Sequence, residues 1–186
     1  DFKVARQDYR ATDYTVEGDW SQASYLLALG ALSGEVVVTN LNAESLQGDR
    51  VVLNLMQKMG ARLSVRRNSV MVQKSYLHGI TADLTDCIDL LPTLAVLAAA
   101  AEGEGHFSGI KSARFKESNR VESLKQELRK MGIRVREEEN SLSIMGGLLR
   151  GAVIDSHADH RLAMAFGLLG TAVGNTTILG AESVEK

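Results

Sequence analysis

Apolar residues along the chain fall into two rhythms, and both recur. Val52, Leu55, Met56 and Met59 repeat at helical spacing, as do Val121, Leu124, Leu128 and Met131, which predicts two amphipathic helices. Each is followed by a glycine, Gly60 or Gly132, the residue best suited to close a helix. Alternation then takes over: Leu63 and Val65 precede Asn68-Ser69, with Val70 and Val72 after it. Ile133 and Val135 likewise precede Asn140-Ser141, with Leu142 and Ile144 after it. Alternation on both sides of a tight polar turn predicts a β-hairpin in each place.

The two stretches are copies. Lys58-Met59-Gly60-Ala61-Arg62 returns as Lys130-Met131-Gly132-Ile133-Arg134, 72 residues later, and Asn68-Ser69 returns as Asn140-Ser141 at the same offset. Upstream of each amphipathic helix lies an apolar segment that reads as helical and buried, Ser24–Leu32 and Leu90–Ala101. A third, Leu162–Val173, follows the second hairpin. Helices apolar on all faces belong inside a domain. Short β-rich segments at Glu35–Thr39, Gly105–Phe107 and Thr176–Leu179 separate these elements. One unit thus reads β-α-β-α-β-β over about 70 residues. It is complete at about 13–75 and 79–146, and a third copy at 150–186 is cut after its second strand. The expected fold is α/β (α+β), three buried helices wrapped by sheets and by the amphipathic helices. No Pro/Gly linker or low-complexity tract divides the chain, so residues 1–186 are expected to form a single domain.

Composition narrows the setting. A chain of 186 residues with 45% hydrophobic and 24% charged positions has the profile of an ordinary globular protein. A net charge of −2 gives no global reason for a nucleic-acid or membrane-surface partner. A single cysteine, Cys87, rules out an internal disulfide and any multi-cysteine metal site, and fits a cytoplasmic protein. No signal peptide and no membrane-length apolar run is present. The chain begins at Asp1 without Met and stops at Lys186 inside patterned sequence, so a piece of a longer protein is expected.

Polar chemistry concentrates where loops turn into helical patterns. Lys116-Glu117-Ser118-Asn119-Arg120 opens the second amphipathic helix, and Asp159-His160-Arg161 opens the third apolar one. Lys116 and Arg120 are four apart, a spacing that places them on one face. Cations at a helix N-terminus oppose its dipole and cost stability unless an anion joins them. Two such ends suggest a ligand with more than one negative group. The charges further along the same helix, Glu122, Lys125, Glu127, Arg129 and Lys130, read as a solvated, salt-bridged face. Asp89 precedes the helix that carries Pro92 in its first turn, and capping is a sufficient reason for it. A partly desolvated carboxylate there can also be basic enough to take a proton from a hydroxyl. Asp159 fits an N-cap. His157 and His160 form a His-x-x-His pair without a third ligand nearby, a weak metal signal, and packing accounts for His160 as well. There is no glycine-rich phosphate loop, no Gly-x-Ser-x-Gly elbow and no Cys-x-x-Cys, so hydride transfer, nucleoside-triphosphate hydrolysis and elbow-type serine hydrolysis lack support.

Taken together, several motifs resemble the 5-enolpyruvylshikimate-3-phosphate (EPSP) synthase family. They are Asp86-Cys87-Ile88-Asp89 with Pro92-Thr93-Leu94-Ala95, Lys116-Glu117-Ser118-Asn119-Arg120, and Asp159-His160-Arg161-Leu162-Ala163-Met164-Ala165. Ser21–Tyr25 and Gln47-Gly48-Asp49 match the family's earlier part, and the resemblance runs from about Tyr14 to Lys186. It implies an inverse α/β prism of β-α-β-α-β-β units, in an enzyme of two such domains with the active site between them. This chain would be the domain containing the C-terminal half. The other domain would be its partner in a monomeric full enzyme, and no metal or organic cofactor is implied. The implied reaction, in aromatic amino acid biosynthesis, joins the enolpyruvyl group of phosphoenolpyruvate to the 5-hydroxyl of shikimate 3-phosphate and releases phosphate.

By this resemblance Asp89 is the proton acceptor at the shikimate hydroxyls and Glu117 the acid/base beside the methylene carbon. Lys116 binds shikimate 3-phosphate, and Arg120, Arg161 and Lys186 hold phosphoenolpyruvate. Two departures stand out. Asn119 replaces a common Asp, which alters helix capping, and Ala158 replaces a frequent Gly, so the turn there is expected to avoid a conformation only glycine likes. Two other readings remain: the sister enzyme acting on UDP-N-acetylglucosamine, whose pattern lacks this pairing of motifs, and a non-catalytic folded module. A chain with half of a cleft cannot close around two anions, so no turnover is expected of it alone.

Overall fold

Asp19 begins the regular structure of the computed structural model, which describes residues 2–185. Its Oδ1 accepts from the Ser21 and Gln22 N–H groups at 2.8 and 3.3 Å, capping helix α1 (Trp20–Ser33). Strand β1 (Glu35–Thr39) follows, then a 3-10 turn leading into α2 (Val52–Lys58) and the hairpin β2 (Arg62–Arg66) and β3 (Ser69–Gln73). The second unit runs β4 (Thr81–Asp83), α3 (Leu91–Ala99), β5 (Glu104–Ser108), α4 (Arg120–Lys130), β6 (Arg134–Glu137) and β7 (Ser141–Met145). The third holds β8 (Val153–Asp155), α5 (His160–Val173) and β9 (Thr177–Leu179), with a closing 3-10 turn, Ala181–Glu185.

The repeat survives in three dimensions. β6 and β7 start 72 residues after β2 and β3, and Gly60 and Gly132 close α2 and α4 with φ of +92° and +90°. Both glycines occupy the left-handed region that a helix terminus of this kind demands. Sheet orders are β1-β3-β2, β4-β5-β7-β6 and β8-β9. The hairpins are antiparallel, whereas β4 with β5 and β8 with β9 are parallel across an intervening helix.

Two expectations need correction. Residues 2–19 form no strand, so the first unit reads α-β-α-β-β rather than opening on β. Ala82 of β4 and Ile154 of β8 sink into the core, at 9% and 0% exposure, but Tyr14 and Val16 stay at 77% and 74%. With no apolar anchor, the segment is tied down by polar contacts near its end: Gly18 N–H to the Asn40 carbonyl, the Asn40 side-chain amide to the Val16 carbonyl, and Ser45 and Gln47 side chains donating to Glu17. Nor are all three apolar helices enclosed. Every residue of α3 is buried, but α1 and α5 leave one side open, with Leu26 half exposed. A groove of about 640 Å³ lined by Leu26, Leu29, Val38 and Met164 lies there, on an apolar side of the molecule.

The core is one connected cluster that includes Trp20, Phe107 and Phe166, with α3 packed against both α1 and α5. That packing gathers the N-terminal ends of α1, α4 and α5 around the turn that leads into α3. Among the described residues no helix is long and apolar enough to cross a membrane.

Candidate active site

Asp89 lies in the 3-10 turn Ile88–Leu90, and the residue before α3 makes no side-chain capping bond. The capping explanation therefore fails. The carboxylate faces three cations, from α4, α5 and the loop before α4: Arg120 Nη1 donates to Oδ1 at 2.9 Å, Arg161 Nη2 to Oδ2 at 3.2 Å, and Lys116 Nζ lies 3.3 Å from Oδ1. Partial burial would raise this carboxyl, but Arg161, Lys116 and Arg120 outweigh it and hold it below the ordinary aspartate range. In the free site Asp89 is thus a weaker base than its desolvation alone implies.

Arg120 opens α4, with Asn119 as N-cap accepting from the Glu122 N–H at 3.3 Å. Its guanidinium is 1% exposed, and protein carboxylates take up its directions. Nε donates to Asp159 Oδ2 at 2.7 Å, Nη2 reaches Glu117 Oε2 at 2.5 Å and, more loosely, Asp159 Oδ1 at 3.4 Å, and Nη1 goes to Asp89. The cation that looked misplaced at a helix start therefore has its anions within the fold. Burial would weaken the guanidinium's charge, yet Asp159, Glu117 and Asp89 raise its pKa. Lys116 precedes the helix rather than sharing its face, and its side chain remains 33% exposed.

Asp159 caps α5 as expected, accepting from the Arg161 N–H at 2.9 Å, and it is fully buried with Ser118 Oγ also donating at 3.1 Å. Arg161 Nη1 donates to Ser21 Oγ at 2.5 Å, which brings α1 into the cluster. Glu117 is about half exposed, with His160 Nδ1 3.7 Å from its Oε1. These two, with Gln22 and Ser183, line a cavity of about 310 Å³ beside the charged cluster. His157 turns away toward Glu127, so the two histidines do not converge.

The structure thus brings Asp89, Lys116, Glu117, Arg120 and Arg161 together; Lys186 lies outside the described residues. Two further expectations are corrected. His157 and Ala158 both adopt left-handed φ, +52° and +54°, so the turn before Asp159 does enter the conformation that glycine prefers. Glu127 is no part of a solvated face, being 1% exposed. Its spacing of three from Leu124, on the apolar stripe, was the available signal. Asp49 is a further carboxylate near the cluster; burial first, and Asp89 second, raise its carboxyl, against the pull of Arg161.

A sequence model of the EPSP synthase (3-phosphoshikimate 1-carboxyvinyltransferase) family matches residues 4–186. The chain belongs to the EPSP synthase family. It is 49% identical over 186 residues, its whole length, to 3-phosphoshikimate 1-carboxyvinyltransferase of Dehalococcoides mccartyi, covering 44% of that protein. It is 46% identical over 172 residues to the enzyme of that name from Methanobrevibacter smithii, covering 91% of this chain and 39% of the relative. Among solved structures, EPSP synthase from Acinetobacter baumannii superimposes with a TM-score of 0.80 at 28% identity, over 91% of this chain and 43% of that one. The chain thus has the EPSP synthase fold and spans under half the length of the curated relatives it matches.

Proposed function

We propose that this chain is a single domain, one of two in an enzyme that moves the enolpyruvyl group of phosphoenolpyruvate to the 5-hydroxyl of shikimate 3-phosphate, releasing phosphate. The observation that carries the reading is the Asp89 carboxylate, partly open and held by Lys116, Arg120 and Arg161 at 3.3, 2.9 and 3.2 Å. Cations at converging helix starts suit substrates that carry phosphate and carboxylate groups, and forked guanidinium donors match both.

The chemistry needs two proton transfers in each direction. Asp89 takes the proton of the attacking 5-hydroxyl as its oxygen bonds to C2 of phosphoenolpyruvate, and Glu117 gives a proton to C3. In the second half C3 returns that proton to Glu117 while the C2–O bond to phosphate breaks, and Asp89 gives its proton to the leaving phosphate. Arg161 and Lys116 stabilise the charge that develops on the way. Lys186 belongs to the phosphoenolpyruvate side in this reading. The free site supports a specific order of events. The cations that depress the Asp89 carboxyl are those the substrate anions would occupy, so binding weakens their hold on Asp89 and raises its basicity. Arg120 joins phosphoenolpyruvate only if Glu117 or Asp89 yields a donor to it, since protein carboxylates hold it in the free site.

The test is phosphate release from phosphoenolpyruvate plus shikimate 3-phosphate, by this chain alone, by this chain mixed with a separately expressed partner domain, and by the longer protein. Activity that requires the partner, and falls about 100-fold or more in Asp89→Asn and Glu117→Gln, is expected. Turnover by this chain alone would contradict the shared cleft. Silence from folded, associated domains would favour a non-catalytic module.

A further inference from the structure

Glu127 lies on the same side of α4 as Arg120, seven residues on, and is equally enclosed at 1% exposure. A buried carboxylate is costly unless its lone pairs are used. Here Lys130 Nζ donates to Oε1 and Oε2 at 2.8 and 2.7 Å, the Asp155 N–H donates to Oε2 at 3.0 Å, and His157 Nε2 donates to Oε1 at 3.1 Å. Because a carboxylate only accepts, the ring hydrogen of His157 sits on Nε2.

Two of those partners, Asp155 at the end of β8 and His157 just beyond it, frame the turn between β8 and α5, which stores strain. His157 and Ala158 are consecutive left-handed residues, and neither is glycine. Each such residue costs about 1–2 kcal/mol and persists only where its surroundings over-determine it. Beyond the turn, Asp159 receives Arg120, and Arg161 reaches Asp89 and Ser21. Helix α4 therefore grips this turn twice, through Arg120 at the site and through Glu127 two helical turns away.

We propose that Glu127 and His157 are a positioning pair for the anion-binding groups. By holding the turn at Asp155 and His157, they fix the direction in which Asp159 and Arg161 leave it. Neither needs to touch a substrate. A small rotation of the turn would displace the Arg161 guanidinium, and a displacement of about 1 Å in a positioning group is enough to cost about 100-fold in rate. The inference rests on the reading of Arg161 as a phosphoenolpyruvate ligand.

The experiment uses the full-length protein carrying this chain, with His157→Leu, His157→Gln and Glu127→Met. Both Michaelis constants, kcat, and amide exchange over residues 156–161 are measured. Expected are a rise of about tenfold in KM for phosphoenolpyruvate in His157→Leu and Glu127→Met, a KM for shikimate 3-phosphate within about twofold, and faster exchange in the turn. His157→Gln, which keeps a donor for Glu127, is expected to restore most of the loss. A fall in melting temperature with both Michaelis constants unchanged, or an equal rise in both, would overturn the pair's positioning role. If the unsubstituted protein shows no turnover, the assigned reaction fails. Exchange still decides the clamp, and unaltered exchange in His157→Leu would refute it.

Discussion

Arg120 donates its Nε proton to Asp159 at 2.7 Å although neither side chain is more than 1% exposed. This pair ties the start of α4 to the start of α5, and the anion cluster is assembled around it. Removing one member leaves a charge without its partner in a dry setting. Asp159→Ala is expected to lower unfolding free energy by about 3–5 kcal/mol, part of it from the lost α5 cap. Arg120→Met combined with Asp159→Leu should cost less than the two single changes summed. Urea denaturation of the four proteins checks both statements.

The same pair contributes to the acid limb of stability. Burial would raise the Asp159 carboxyl, but hydrogen bonding and charge from Arg120, with the Arg161 N–H and Ser118, bring it below the ordinary value of 3.8. A carboxyl depressed on folding binds fewer protons folded than unfolded. Its contribution is therefore complete above that ordinary value and disappears as pH falls through the lower folded value. Stability should drop as pH goes below about 4, and Asp159→Asn should flatten that drop. A curve of unchanged steepness in the variant would reject Asp159 as a contributor.

Ala158 offers a gain. Its φ of +54° is one that glycine adopts freely, and the side chain is exposed, so Ala158→Gly removes strain without opening a cavity. After the greater freedom of glycine in the unfolded chain is set against it, the expected stabilisation is about 0.5 kcal/mol. A lower denaturation midpoint would contradict the strain.

Matched substitutions in the two copies should differ. Gly60→Ala and Gly132→Ala both force a side chain into left-handed φ, costing about 1–2 kcal/mol. The new Cβ at residue 60 also meets the Tyr76 carbonyl oxygen at 3.0 Å, whereas at 132 its nearest neighbour, at 2.9 Å, is the Arg150 side chain. Backbone cannot yield and a flexible arginine can. The first variant should therefore be the less stable by thermal unfolding.

Local patterns were legible where a residue's own chemistry determines its structure. Strand β1 spans the Glu35–Thr39 expected of it, both hairpins turn near their Asn-Ser pairs, and both helix-closing glycines were apparent. What eluded the sequence depended on partners distant along the chain. Taken alone Asp89 looked like a cap, because capping is local, and only the family resemblance made it a proton acceptor; its cations come from residues 116, 120 and 161. Glu127 looked solvated because charge usually is, until His157 and the Asp155 N–H closed over it. The leading strand of the first unit failed for a similar reason: repetition promised it, but Tyr14 and Val16 have nothing to sink into.

All the sheets are built from strands of a single unit, so among the described residues no sheet borrows a strand from another copy. This bears on how the chain can go wrong. Hairpins as alike as β2–β3 and β6–β7 are candidates for exchange during folding, since either second strand offers the other's first strand the same alternation. Nearness in the chain opposes the mistake, because the true partner closes a turn of a few residues and the false one a far longer loop. Burial then makes the error costly to keep. Four of the five residues of β7 are enclosed, but only alternate residues of β3 are, so an exchanged β3 would carry partly exposed Ser69, Met71 and Gln73 into a place built for full cover.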